Sequence, residues 1–190
     1  MEILLRLSGV IDAVNRLFGK FVIWLILAAT IISAANAIAR KAFNIGSNAF
    51  LEIQWYLFGA VFLLGAGYTF LQNAHVRIDV LASRLSMRTR MYIDIVGILV
   101  FLLPMCWFMI NFAWPVVMAA YVSGEVSSNA GGLIRWPVYA LVPAGFLLLG
   151  LQAISELIKR LAFLQGKGPN PLLQGAHDGQ DDIHGEEAQK

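Results

Sequence analysis

Charge is scarce in this chain. Asp, Glu, Lys and Arg make up 14% of its 190 residues, hydrophobic types supply 58%, and the mean hydropathy is +0.69. That balance excludes an ordinary soluble domain and fits a small all-α bundle of membrane-spanning helices. Cysteine is nearly absent: Cys106 stands alone in an apolar segment, so neither an intrachain disulfide nor a thiolate metal cluster is expected. Histidine is confined to His75, His177 and His184, all outside the apolar runs, which removes the axial ligands of a haem-carrying membrane subunit. The apolar runs also lack paired carboxylates, a nucleophile with its base and clustered histidines, and no phosphate-binding glycine motif occurs. No enzymatic activity, cofactor or metal is therefore expected. The net charge of +2 is small, and no nucleic-acid partner is expected.

Long uncharged runs are what the chain does have. Phe21 to Ala39 and Ile53 to Leu71 each give about 28 Å of helix at ~1.5 Å per residue, close to the hydrocarbon thickness of a bilayer. A third run, from about Ile95 to Val122, reaches about 42 Å and must tilt, bend or protrude. Pro104 and Pro115 each lack a backbone donor and are the places for a bend, though prolines in membrane helices are often only tolerated. A fourth run covers about Val138 to Ile154, with Pro137 at its head and Glu156, Lys159 and Arg160 at its end. Four spans follow, about 21–39, 53–71, 95–122 and 138–154, in a membrane domain of residues 21–160.

The flanking segments read differently. From Met1 to Lys20, Ile3, Leu7, Val10, Ile11, Val14, Leu17 and Phe18 recur at helical spacing against Arg6, Asp12 and Arg16, which predicts an amphipathic helix in the membrane interface. A cleaved signal peptide is the competing reading, but the run after this leader is longer than a signal core. Between the second and third spans, Arg77, Arg84, Arg88 and Arg90 with Ile78, Leu81 and Leu85 suggest a surface connection whose Arg84, Arg88 and Arg90 meet lipid phosphates. Residues 161–190, rich in Gly, Pro, Gln and acids beyond Gly166, are expected to form a disordered tail.

Orientation follows from where the cations fall. One side holds Arg6, Arg16, Lys20, Arg77, Arg84, Arg88, Arg90, Lys159, Arg160 and Lys167; the other holds only Arg40, Lys41 and Arg135. The positive-inside rule then places both termini in the cytoplasm.

Few polar groups enter the spans. Glu52, followed by Gln54, Trp55 and Tyr56, sits at the start of the second span, where a carboxylate must stay at the interface, face protein or be protonated. Ala29, Ser33 and Ala37 recur every fourth residue and form a smooth face for close helix approach, beside Asn36; alanines are also simply common in membrane helices. Asn111 needs a hydrogen-bond partner. Glu52 and Asp94 stand at membrane edges and are too few for an ion path, and the paired repeats and broken helices of a complete secondary transporter are missing.

Three stretches are the most specific: Glu52 with Gln54-Trp55-Tyr56, His75-Val76-Arg77-Ile78-Asp79, and Asn129 to Pro137. Together with the order of the spans, from about Phe18 to Arg160, they resemble the small membrane (Q-type, DctQ-like) subunit of tripartite ATP-independent periplasmic (TRAP) transporters. The resemblance implies a subunit that scaffolds a large multi-span permease subunit and works with a periplasmic solute-binding protein in sodium-driven uptake of an organic acid. Because the chain ends at Lys190, that large subunit is expected as a separate polypeptide. It further implies that Glu52 helps fix the chain to the large subunit, joined by the packing face of Ala29, Ser33, Asn36 and Ala37. The docking surface for the binding protein would be the loops carrying Asn44, Ser47, Asn48, Glu125, Asn129 and Arg135. Glu52 as a hydrated interfacial carboxylate, and Glu125 and Arg135 as ordinary loop charges, are the plainer alternatives. A homo-oligomeric four-span channel or small transporter acting alone is the alternative function.

Overall fold

The computed structural model describes residues 1–44, 46–72 and 86–168. The stretch from His75 to Leu85, including Arg84, and the tail from residue 169 lie outside the described residues. The described residues form five α-helices and one π-helical turn: α1 (Glu2–Phe43), α2 (Asn48–Leu71), α3 (Met87–Gly97), the π turn (Ile98–Leu102), α4 (Leu103–Ser123) and α5 (Trp136–Leu164). With α3, the π turn and α4 running on as one rod, four helices are long and apolar enough to cross a membrane, making this an all-α, multi-pass membrane protein.

Local chemistry sets the boundaries. α1 ends where Asn44 turns left-handed at φ 51° and its N–H bonds the Ala39 carbonyl, with Arg40 and Lys41 in the last turn opposing the negative end of the helix dipole. Ser86 caps α3 by accepting from the Thr89 N–H at 3.2 Å. Gly124, at φ 63°, closes α4, and Pro137 opens α5 in the first turn, where its missing N–H costs nothing. The π turn lies immediately before Pro104, where the wider pitch accommodates the proline ring and its absent donor. Pro115 and Pro143 are carried inside α4 and α5.

Two elements differ from the sequence reading. The amphipathic leader, Met1 to Lys20, is helical but not separate: it continues without a break into the first span as a 42-residue helix of about 63 Å. At the other terminus, Glu156, Lys159 and Arg160 do not end a span. α5 passes through them to Leu164, so residues 161–164 belong to the helix and not to a tail, because Ala162 is fully buried and the Gly166 turn closes the helix with Lys167 N–H on the Ala162 carbonyl at 2.9 Å.

α5 is the hub. It packs on α1, α2, α4 and α3, and 39% of its most apolar stretch is buried against 6–11% for the other three spans. Val22, Ala60, Leu64 and Leu148 form the apolar centre where α1, α2 and α5 meet. Glycine permits this approach. A Cβ at Gly145 would lie 2.6 Å from the Leu63 carbonyl oxygen, so α5 rests directly on the α2 backbone. Outside, Phe21, Trp24, Phe62, Phe101, Trp107 and Phe112 are exposed, the inside-out distribution that lipid allows.

Candidate functional site

Polar side chains gather at the two ends of the bundle. The loop end carries the turn after α1 and the segment 124–135; the terminal end carries the start of α1 and the close of α5.

At the loop end, α2 presents Asn48, Glu52 and Tyr56 one turn apart, and each bonds the 124–135 loop. Asn48 Nδ2 donates to the Ala130 carbonyl at 3.2 Å, and the Tyr56 hydroxyl donates to the Ile134 carbonyl at 3.1 Å. Between them the Glu52 carboxylate accepts from Ser127 Oγ, from Asn129 Nδ2 at 2.8 Å and from the Leu133 N–H at 2.7 Å. The loop folds to meet these groups through an isolated antiparallel bridge between Val126 and Ile134 and a left-handed Gly131 at φ 70°. Its base is closed by Tyr121 edge-on to Trp136, with ring centroids 5.5 Å apart.

Beside the grip opens a cleft of about 530 Å³ lined by Leu51, Trp55, Val138, Tyr139 and Arg135. Arg135 Nη1 reaches Glu125 Oε1 at 3.2 Å and the Tyr139 hydroxyl at 3.4 Å. The Tyr139 hydroxyl, then the Glu125 carboxylate, hold Arg135 above its ordinary guanidinium value, so it is a permanent cation. The loop end is thus exposed, charged and shaped by intrachain bonds.

The terminal end is buried. Ser8, Asp12, Asn15 and Gly19 line the buried side of α1, while Ile3, Leu7, Val10, Val14 and Leu17 face outward. Asp12 Oδ1 accepts from Ser155 Oγ at 2.7 Å and Gln152 Nε2 at 2.9 Å, and Asp12 Oδ2 meets Lys159 Nζ at 3.1 Å. Lys159 also pairs with Glu156, which pairs with Arg160, whose Nε reaches Asp94 Oδ2 at 3.1 Å. Ser8 Oγ lies 2.7 Å from Ser155 Oγ, and Asn15 Nδ2 donates to Gln152 Oε1 at 2.9 Å. Glu156 and Arg160 are each 1% exposed, so charges are stable here only because each is matched. Among the described residues Asn15 Oδ1 has no hydrogen-bond donor; it points at Gly67, where a Cβ would come within 2.1 Å.

The residues singled out from the sequence fall in different places. Glu52 is held by Ser127, Asn129 and Leu133 of the 124–135 loop. Ala29 and Asn36 are buried within the bundle, Ser33 is half-buried and Ala37 is exposed. Asn44, at the close of α1, is exposed, as are Asn48, Glu125 and Asn129, while Ser47 and Arg135 are half-covered. The Asn48 bond to Ala130 brings the 44–48 turn and the 124–135 loop together. Arg88 is exposed on the first turn of α3 and Arg90 half-buried. Asn111 donates to the Trp107 carbonyl of its own helix at 2.8 Å. Among the described residues, no three of His, Cys, Asp and Glu come together to hold a metal ion.

The terminal network was missed by the sequence reading, which set Asp12 with Arg6 and Arg16 on the polar face of an interfacial helix. The available signal was a pair of helical-period polar stripes, Ser8-Asp12-Asn15 and Gln152-Ser155-Glu156-Lys159, each on one helix face.

Residues 29–163 match the family described as "Tripartite ATP-independent periplasmic transporters, DctQ component". The ectoine TRAP transporter small permease protein TeaB of Halomonas elongata is 25% identical over 159 residues, covering 82% of this chain and 81% of that protein. No solved structure matches.

Proposed function

The chain belongs to the DctQ component family of tripartite ATP-independent periplasmic transporters, a family of small permease subunits, and from that premise we propose that it is the static scaffold of a large permease subunit. The partner's mobile part moves the solute, in sodium-driven uptake of an organic acid handed over by a periplasmic solute-binding protein. Both termini lie in the cytoplasm, since the terminal end collects Arg6, Arg16, Lys20, Lys159 and Arg160. The loop end is then periplasmic, where Asn44, Ser47, Asn48, Glu125, Asn129 and Arg135 offer docking groups to the binding protein, and Arg88 and Arg90 meet inner-leaflet phosphates.

One observation carries the scaffold reading. Most of the buried polar side chains bond within the chain, from α2 to the 124–135 loop at one end and among α1, α3 and α5 at the other, while broad apolar faces remain outside. A subunit that moved an ion along its own spans would keep oxygen ligands open to that ion. This bundle spends its polar groups on rigidity.

The test is extraction of the tagged chain from its native membrane in mild detergent, followed by mass measurement of the intact particle. The expected result is a complex with one much larger multi-span protein. A homo-oligomer without such a partner would overturn the proposal in favour of a channel formed by this chain alone.

A further inference from the structure

Glu52 grips the neck of the 124–135 loop, not its tip. Its two oxygens take Ser127 and Leu133, which also bond each other through Ser127 N–H and the Leu133 carbonyl at 2.9 Å, so the two sides of the loop are fixed to α2 together. Asn129, at the turn, is drawn to the same carboxylate. Arg135, just past the neck, is joined back to Glu125 by both its backbone N–H, at 3.0 Å, and its guanidinium. Of the three α2 side chains that hold the loop, Asn48 and Tyr56 add one bond each, while the Glu52 carboxylate accepts three, two from side chains and one from backbone, and so does most to set the geometry of the exposed groups.

We infer that Glu52 is a positioning residue for docking: it touches neither the binding protein nor the large subunit, and it holds the loop in the one shape that presents Glu125, Asn129 and Arg135 to the binding protein. This rests on the docking reading given above. Without the grip, the loop samples other shapes, and the binding protein meets a surface whose competent form is only a fraction of the whole; its apparent affinity falls by that fraction. The rate of transport once docked is expected to stay unchanged, because the bonds Glu52 accepts all come from the loop.

The experiment is uptake into proteoliposomes that hold the intact two-subunit complex, measured against the concentration of the solute-binding protein purified with its own bound solute. Glu52→Gln preserves shape but sets an amide N–H against one of the three donors. It is expected to raise the half-saturating binding-protein concentration about tenfold with unchanged maximal uptake and unchanged yield of the complex. Ser127→Ala, which loosens the same neck from the loop side, is expected to raise it about threefold, and this variant decides the matter if Glu52→Gln does not accumulate. Arg135→Ala serves as the reference for docking itself. A shift with Arg135→Ala but none with Glu52→Gln or Ser127→Ala overturns the positioning role and leaves docking intact. No shift with any of the three overturns both. Loss of the large subunit from purified Glu52→Gln would place Glu52 at the subunit interface and likewise overturn the inference.

Discussion

The two ends of the bundle use the same chemical parts to opposite effect. At the loop end one carboxylate, Glu52, accepts three bonds from the 124–135 loop, and none of the residues involved is fully buried. At the terminal end three carboxylates, Asp12, Glu156 and Asp94, meet two cations, Lys159 and Arg160, largely away from solvent, and join α1, α3 and α5. In the first setting a broken bond releases a loop. In the second it leaves an unmatched charge in a medium that cannot solvate it, and the helices themselves must separate or rearrange.

The difference can be broken from the deep end first. Arg160→Met removes the cation shared by Glu156 and Asp94 and should cost about 3 kcal/mol, the low end of the penalty for breaking a buried pair, because Glu156 keeps Lys159. Denaturation of the purified chain in detergent measures it, and a loss within the noise would mean that water reaches this network. Asp12→Ala strips Ser155, Gln152 and Lys159 of a shared acceptor; about 2–3 kcal/mol is expected, together with protease sensitivity in the first turns of α1. Gly145→Ala probes packing without charge. Its methyl group meets the Leu63 backbone at 2.6 Å, and about 1–3 kcal/mol should be lost as α2 and α5 are pushed apart. The smallest effect belongs to Asn111→Leu, since Asn111 bonds only its own helix among the described contacts: stability of the isolated chain should hold within about 0.5 kcal/mol. A clear drop in yield of the two-subunit complex with that variant would instead show Asn111 facing the partner.

The spans were legible because lipid imposes a simple demand. An uncharged run long enough to cross hydrocarbon must be a helix, and the runs at 53–71, 95–122 and 138–154 lie within α2, the α3–α4 rod and α5. Glu52 announced itself for the same reason, as a carboxylate that needs protein or water. Its partners were not legible. They depend on how Gly131 and the Val126–Ile134 bridge fold a loop some eighty residues away in sequence, as the separation of 81 between Glu52 and Leu133 shows. The leader misled more deeply. Amphipathicity says that two faces differ, but not which one meets water, and in a membrane the apolar face of α1 can point to lipid while Asp12 turns inward. Only the matching polar stripe on α5, 143 residues on at Ser155, makes that choice favourable.

Hydrogen exchange on the intact complex in lipid nanodiscs tests the central claim most directly, by comparing the native chain with Glu52→Gln and Glu156→Gln. The account predicts that Glu52→Gln speeds exchange only within 124–135, most of all at the Leu133 amide, while Glu156→Gln speeds it along the first turns of α1 and the last turns of α5. Equal patterns in the two variants, or an unchanged Leu133 amide in Glu52→Gln, would contradict it.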